Sequence, residues 1–211
     1  ADADSPASPR FSANIARAIQ WIDEVGGKPS PRTADLGHDT TLVGWPWVEG
    51  THSWLEPTAF CILALKAAGQ GAHPRVREGV RLLLDRLLPA GGANYGNTYV
   101  LGQLLRPHLE PTGMALAALG GEEDTNGRIA KTRSYAAGAL KSSTTAASLG
   151  YALIGLAAHG DHPPQRDRWL ADAAERTGHV VGSQPRRALL ALAALGDQCP
   201  FITLPKQGSR A

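Results

Sequence analysis

The chain has 211 residues, enough to bury one substantial hydrophobic core, and its formal net charge is +2. This nearly neutral balance gives no reason to expect nucleic acid or an anionic membrane surface as a partner. The longest apolar runs hold about a dozen residues, below the roughly 20 that cross a bilayer, so we expect no transmembrane segment.

Two cysteines, Cys61 and Cys199, cannot define a disulfide framework, and the sequence leaves open whether they pair. Residues 1–9 are polar and lack the basic-then-apolar layout of a signal peptide. We expect them to form a flexible leader, and residues 200–211 to form a tail. A soluble chain is expected; cytoplasmic location, export with a removed signal, and origin as a fragment of a longer protein all stay open.

Two kinds of apolar segment alternate along the chain. Segments with one apolar face predict amphipathic helices at residues 11–25, 74–88, about 127–140 and near 166–177. The first of these should bury Phe11, Ile15, Ile19 and Ile22 as one stripe, while Arg86 should lie among the solvated charges of the second. The other kind is apolar on every side and predicts helices covered all round, at Thr58–Gly69, Pro111–Gly120, Ala146–Gly160 and Pro185–Gly196.

Each wholly apolar segment ends in a similar short tail. The final glycines, Gly69, Gly120, Gly160 and Gly196, are 51, 40 and 36 residues apart, which leaves room for one helix out and one helix back. Tetratricopeptide and HEAT repeats have two amphipathic helices, so they do not account for this pattern. Two layers do, with inner helices buried and outer helices facing water. We therefore predict an all-α fold of about four hairpins around a centre, over residues 10–199.

The strongest repeat, Gly44–Gly69, combines tryptophans with a Glu-Pro-Thr-Ala helix start, and Gly91–Asn97 looks like a second copy with Ala93 in place of an aromatic residue. These phrases resemble the repeats of the terpenoid cyclase and protein prenyltransferase superfamily, including squalene–hopene-type cyclases. The resemblance implies an α/α toroid. Members that close a ring usually have more than four hairpins, so an open or incomplete ring is expected. Such a ring favours self-association or a partner that completes it.

The chain departs from the catalytic motifs of that superfamily. Where squalene–hopene-type cyclases carry an Asp-x-Asp-Asp acid, this chain has a single carboxylate in each copy, Glu56 or Glu110. Asp197 and Cys199 match the Asp-x-Cys half of a prenyltransferase zinc site, but no histidine follows His179, and catalytic zinc needs three protein ligands. We therefore expect no metal and no cofactor, and whether the chain catalyses a reaction stays open.

Glu56 and Glu110 begin equivalent inner helices, so a ring would bring both to the same end of its central cavity. There they could hold a cation or act as a base, or they could simply favour the helix N-termini. His52 and His108 precede them by a few residues and could pair with them, which would raise the pKa of each histidine. These four residues are the catalytic candidates.

Candidate ligand contacts share an aromatic or hydrogen-bonding side chain near the predicted inner helices: Trp45, Trp47, Trp54, Asn94, Tyr95, Tyr151, Arg186 and Arg187. The aromatic residues could line a pocket mouth or brace neighbouring repeats. The two arginines could meet a diphosphate or be solvated. The stretch from His159 to His162 holds three potential metal ligands, although an ordinary helix end also explains it.

Three functional hypotheses follow. The leading one is a toroid without a complete acid or zinc motif, which binds an elongated apolar, isoprenoid-like ligand or a partner segment in its central cavity. The second is a prenyltransferase-like or lyase-like enzyme that uses Glu56 and Glu110 with the nearby histidines. The third is a structural protein-interaction module.

Overall fold

The computed structural model describes residues 9–33 and 35–202, and this part of the chain is all-α, as predicted. The outer helices are α1 (Pro9–Glu24), α3 (Pro74–Arg86), α5 (Arg128–Ala139) and α7 (Arg166–Gly178). The inner helices are α2 (Leu55–Ala67), α4 (Leu109–Ala118), α6 (Ala146–Ala157) and α8 (Gln184–Ala194). A short antiparallel hairpin of β1 (Tyr99–Val100) and β2 (Gln103–Leu104) and a 3-10 turn (Gly196–Gln198) complete the described elements.

Most of the predicted leader and tail, residues 1–8 and 203–211, lies outside the described residues. At the boundary of the tail, Phe201 and Ile202 line a small cavity together with Leu63 of α2 and Ala158, the residue after α6. None of the helices in the described part has both the length and the apolar character needed to cross a bilayer. Cys61 and Cys199 form no disulfide.

The inner helices pack in a row, α2 on α4, α4 on α6 and α6 on α8. The outer helices cover this row, and α4 is buried from Pro111 to its end. The two ends of the row, α2 and α8, share no comparable packing in the described part of the chain. The alternation of inner and outer helices is therefore observed, while closure into a toroid stays a prediction.

Two burial predictions are wrong in part. The inner helices α2 and α8 expose Phe60 and Ala188, because each lies at an end of the row and is covered on fewer sides than α4 or α6. On α1, Phe11 and Ile15 are 53% and 43% exposed. Its second half, with Ile19 and Ile22, packs against the core, so only part of the expected stripe is buried.

The two strongest sequence repeats share one hydrogen-bond arrangement. The Thr58 hydroxyl accepts a hydrogen bond from the Trp45 N–H at 3.0 Å, and the Thr112 hydroxyl accepts one from the Ala93 N–H at 2.9 Å. Each hydroxyl also donates to the backbone carbonyl four residues earlier, at 2.6 Å. Ala93 thus occupies the position of Trp45, which confirms that Gly91–Asn97 is a second copy.

The inner helices α4 and α6 approach until their backbones touch. A Cβ atom added at Gly113 would overlap the backbone of Tyr151, and one added at Gly155 would overlap the Gly113 carbonyl and lie 2.9 Å from the Leu116 Cβ. Side chains normally hold helices 8–10 Å apart. Glycine at both positions removes that spacer and permits the closer approach.

A buried ion pair joins α2 to the C-terminal end of α4. Lys66 Nζ donates to the carbonyls of Ala118 and Gly120 at 2.8 and 3.2 Å, and it lies 2.6 Å from Glu122 Oε1. Arg77 donates two hydrogen bonds to the same carboxylate, at 2.7 and 2.8 Å. Burial alone would raise the pKa of Glu122, but the hydrogen bonds and charges of Arg77 and Lys66 outweigh it, and the pKa is lowered.

We expect Gly113→Ala to lower the free energy of unfolding by about 1–3 kcal/mol or more, because the added methyl must push two packed backbones apart. Gly138→Ala is the matched control: Gly138 is also helical, but an added Cβ meets nothing within 4 Å. The control should stabilise the protein by about 0.5–1 kcal/mol. Urea denaturation of both variants measures the difference in their free energies of unfolding. Equal changes in the two variants would contradict the close approach of α4 and α6.

Replacing Lys66 by Met should cost about 3–5 kcal/mol, because it leaves the Glu122 carboxylate and two carbonyls without their buried partner. Arg77→Met removes the more exposed partner and should cost about 1 kcal/mol or less. Since the folded pKa of Glu122 is lowered, its stabilisation is present above the ordinary carboxyl pKa and is lost as the pH falls through the folded value. Denaturation between pH 7 and pH 3 should show this loss in the native protein and a weaker one in Lys66→Met.

Candidate functional site

Glu56 and Glu110 are the second residues of α2 and α4, and both are half-buried. Burial raises the pKa of Glu56, and the charge of Glu110 raises it further. A charge acts in this way only over a short distance. Glu110 therefore lies near enough for its charge to act on Glu56, and both residues are in the first turns of two inner helices that pack on each other.

Aromatic side chains lie near this pair. Burial raises the pKa values of Tyr95 and Tyr151, and the charges of Glu110 and Glu56 raise both further. Phe60 meets the Tyr151 ring edge to face, with centroids 6.3 Å apart. We call these five residues, Glu56, Glu110, Phe60, Tyr95 and Tyr151, the acidic-aromatic cluster.

The backbone explains how residues far apart in sequence reach this cluster. The Tyr95 carbonyl accepts a hydrogen bond from the Leu55 N–H at 3.1 Å, which holds the loop of the second repeat over the start of α2. Asn94 shapes that loop, since its side chain donates to the Arg106 carbonyl and accepts from the Tyr95 N–H, both at 2.7 Å. The sequence-predicted ligand contact Asn94 thus acts here by positioning Tyr95.

The two carboxylates of the cluster are unpaired among the described residues. Within the described part of the chain, neither Glu56 nor Glu110 forms an ion pair or a side-chain hydrogen bond. Like charges that share a partly desolvated site repel each other, and a cation placed between them would relieve that repulsion. The arrangement is therefore suited to a positively charged group or to a shared proton.

The histidines do not pair with the glutamates. The His52 ring lies against Trp54, with centroids 4.8 Å apart, and the His108 ring lies against Tyr95 at 5.4 Å. Among the residues the structure describes, neither histidine forms an ion pair with Glu56 or Glu110. The predicted pairing is wrong because each ring packs on a neighbouring aromatic side chain instead.

The tryptophans divide between bracing and exposure. Trp45 is 1% exposed, and its indole N–H donates to the Ile22 carbonyl at 2.7 Å while the Arg75 guanidinium lies 4.4 Å from its ring. Trp45 therefore braces α1 and α3, the structural alternative of the two considered from the sequence. Trp47 is 58% exposed, and Trp54 is half-buried beneath His52.

Arg186 and Arg187 are exposed at the start of α8, and neither contributes to the pKa shift of Glu56. Arg187 lines a shallow groove between α7 and α8 with Leu170 and Ala174. The structure does not join these arginines to the acidic-aromatic cluster. Phe60, in contrast, was missed by the sequence analysis, although it lies four residues after Glu56 and therefore on the same helix face.

The three potential metal ligands between residues 159 and 162 have separate partners. Asp161 accepts two hydrogen bonds from Arg133 at 2.6 and 2.7 Å, His162 lies 2.9 Å from Asp197, and the His159 ring contacts a backbone carbonyl of α4 at 3.0 Å. Across residues 9–33 and 35–202, no group of three or more His, Cys, Asp or Glu side chains is placed to hold a metal ion.

Comparison of the chain with protein-family models, with curated proteins and with solved structures found no significant match. The resemblance to terpenoid cyclases and prenyltransferases rests on the sequence repeats and stays a prediction.

We expect Glu110→Gln to lower the pKa of Glu56, because it removes the neighbouring charge. Since the folded pKa of Glu56 is raised, ionisation of Glu56 opposes folding, and its cost appears as the pH rises through the folded value. Glu56→Gln should therefore raise the melting temperature at pH 8 and leave it nearly unchanged at pH 4. Side-chain carbon NMR titration measures the pKa of Glu56, and the exposed Glu123→Gln is the control. An unchanged Glu56 pKa in Glu110→Gln would show that the two carboxyl groups do not interact.

Proposed function

We propose that this protein is a binding protein whose acidic-aromatic cluster takes the cationic end of an elongated apolar ligand or partner segment. The observation that carries the proposal is the pair of half-buried carboxylates with no cation within the described residues. Aromatic rings beside the carboxylates support it further, because faces of Tyr and Phe attract organic cations. The proposal keeps the leading sequence hypothesis and adds the charge of the ligand.

An apolar strip on α2 supports the elongated shape. Phe60 and Ala64 follow Glu56 at intervals of four residues, and both are exposed. On a helix these three positions share one face and span about 12 Å. A chain of roughly eight carbons attached to a cation would match this length.

The second candidate is an enzyme of prenyltransferase-like or lyase-like type. The raised pKa of Glu56 favours it, because a carboxyl group with a raised pKa can act as a general acid or base. The predicted histidine partners lie against aromatic rings instead, which removes half of the proposed catalytic set. We therefore place binding before catalysis.

Exposed apolar residues near both ends of the helical row support an incomplete toroid. Trp21 on α1 is 57% exposed, and Leu195 after α8 is 48% exposed. Large apolar side chains left in water favour association. A second copy of the chain, or a partner that completes the ring, remains part of this proposal.

Octyltrimethylammonium, used below its micellar concentration, should bind the native protein and shift the NMR signals of Tyr95 and Tyr151. The Glu56→Gln, Glu110→Gln double variant should bind it about tenfold more weakly, as expected when about 1.4 kcal/mol of charge attraction is removed. Glu123→Gln is the matched control and should bind as the native protein does. Calorimetry measures the affinities.

Octanol, which has the same chain and no charge, should bind at least tenfold more weakly than the ammonium compound. Equal binding of octanol, or equal binding by the double variant, would overturn the role of the two glutamates. Turnover of an isoprenoid substrate that is abolished by Glu56→Gln would favour the enzyme instead.

A further inference from the structure

A separate cavity lies between the loop of residues 28–33 and 35–53 and the C-terminal end of α3. Its volume is about 540 Å³, within the range of small-molecule sites. We call it the loop cavity and define it by six of its lining residues: Lys28, Leu36, His38, Leu42, His52 and Arg86. Neither glutamate of the acidic-aromatic cluster lines it.

Backbone hydrogen bonds give the loop cavity a fixed wall. The Lys28 N–H donates to the Thr51 carbonyl at 2.8 Å, and the Ser30 N–H donates to the Thr40 carbonyl at 3.0 Å. Arg86 fastens the loop to α3, since its guanidinium donates to the Asp39 carbonyl at 3.3 Å. The site is therefore formed before any ligand arrives.

Two buried side chains in this wall keep polar atoms without a hydrogen-bond partner. His38 is 8% exposed and its Nδ1 is unsatisfied, while Arg86 is 5% exposed and its Nε has no hydrogen bond. That Nε lies 3.4 Å from an Asp85 carboxylate oxygen, at ion-pair distance. Buried polar groups in native proteins normally have partners, so these two atoms are exceptions within the wall of the cavity.

The charges that line the cavity are cationic. Lys28 and Arg86 supply them, the His52 ring lines the cavity beside them, and no carboxylate among the described residues does so. Burial lowers the pKa of His38 to about 4, the charges of Arg86 and His52 act in the same direction, and those of Asp85 and Asp39 oppose it. A neutral His38 presents one N–H and accepts at its other nitrogen, so it can donate to an anion at neutral pH.

Both nearby carboxylates already have partners behind the wall. Asp39 accepts hydrogen bonds from Arg32 and Thr41, and Asp85 accepts one from the Asp39 N–H at 2.8 Å. They balance part of the Arg86 charge but do not occupy the cavity. An anion in the cavity would face Lys28 and the two histidines directly.

We propose that the loop cavity binds a small organic carboxylate, with its oxygens toward Lys28, His38 and His52 and its apolar part against Leu36 and Leu42. The apolar lining distinguishes this ligand from inorganic phosphate, which has no part that leucine side chains would cover. The cationic lining distinguishes it from the positively charged ligand of the acidic-aromatic cluster. The two sites are independent.

The test uses octanoate and benzoate with the full chain at pH 7. Both should shift the ring nitrogen signals of His38 in NMR, and bound carboxylate should raise the pKa of His38. Lys28→Met and His52→Gln, both at exposed positions, should each weaken octanoate binding about threefold, whereas the exposed Lys131→Met should not change it. Binding of only one of the two acids identifies the chain type within the proposed class.

Octanol and inorganic phosphate are the opposing probes. If octanol binds as tightly as octanoate, the cavity does not recognise the negative charge, and if phosphate binds as tightly, the cavity is a simple anion site. Either result overturns the proposal. So does a His38 NMR signal that neither acid shifts. The Glu56→Gln, Glu110→Gln variant should bind octanoate normally. If one site fails to bind its probe, binding at the other site can therefore still be measured.

Discussion

The direct backbone contact between α4 and α6 determines where the candidate site can form. Gly113, which is three residues after Glu110, meets the backbone of Tyr151. This contact fixes Tyr151 beside the first turn of α4. From there it reaches Phe60 on α2, across the buried helix between them. A side chain at Gly113 would move α6 outward and take one aromatic wall from the acidic-aromatic cluster. Packing and site geometry consequently depend on the same two glycines, Gly113 and Gly155.

The first two repeats differ from the last two in how their inner helices begin. Thr58 and Thr112 each accept a hydrogen bond from the backbone N–H of a residue that follows a glycine, Trp45 and Ala93 respectively. This bond holds a long loop against the helix start. Thr145 instead accepts from the Ser148 N–H within its own helix, an ordinary N-cap, and no side chain caps α8 at Ser183. Long loops held on a rigid scaffold are where binding residues concentrate. Both proposed sites lie where the first two repeats keep such loops.

The sequence predicts what depends on local pattern and misses what depends on distant neighbours. Helix order and the equivalence of Ala93 with Trp45 follow from periodicity and repetition, and both are observed, whereas burial on all sides holds for α4 and α6 but not for α2 and α8. The exposure of Phe60 gives no signal within an apolar run, because it arises only at an end of the helical row. Arg86 looks like a solvated charge on an amphipathic helix until a loop from residues 28–53 covers it. The hairpin after Tyr99 depends on a left-handed Leu101, which few sequence rules anticipate.

Two half-buried glutamates of this protein, Glu122 and Glu56, differ in their charged partners. Glu122 lies between Lys66 and Arg77, and its pKa is lowered despite burial. Glu56 has a similar degree of burial but only Glu110 as a charged neighbour among the causes of its shift, and its pKa is raised. The fold can therefore supply cations to a carboxylate where stability requires them. At Glu56 the dipole of α2 is the remaining favourable field, worth about 0.3–1 kcal/mol. Burial and the charge of Glu110 make the ionised form of Glu56 unfavourable in the folded state, and this is why we propose a positively charged ligand rather than a structural role for the pair.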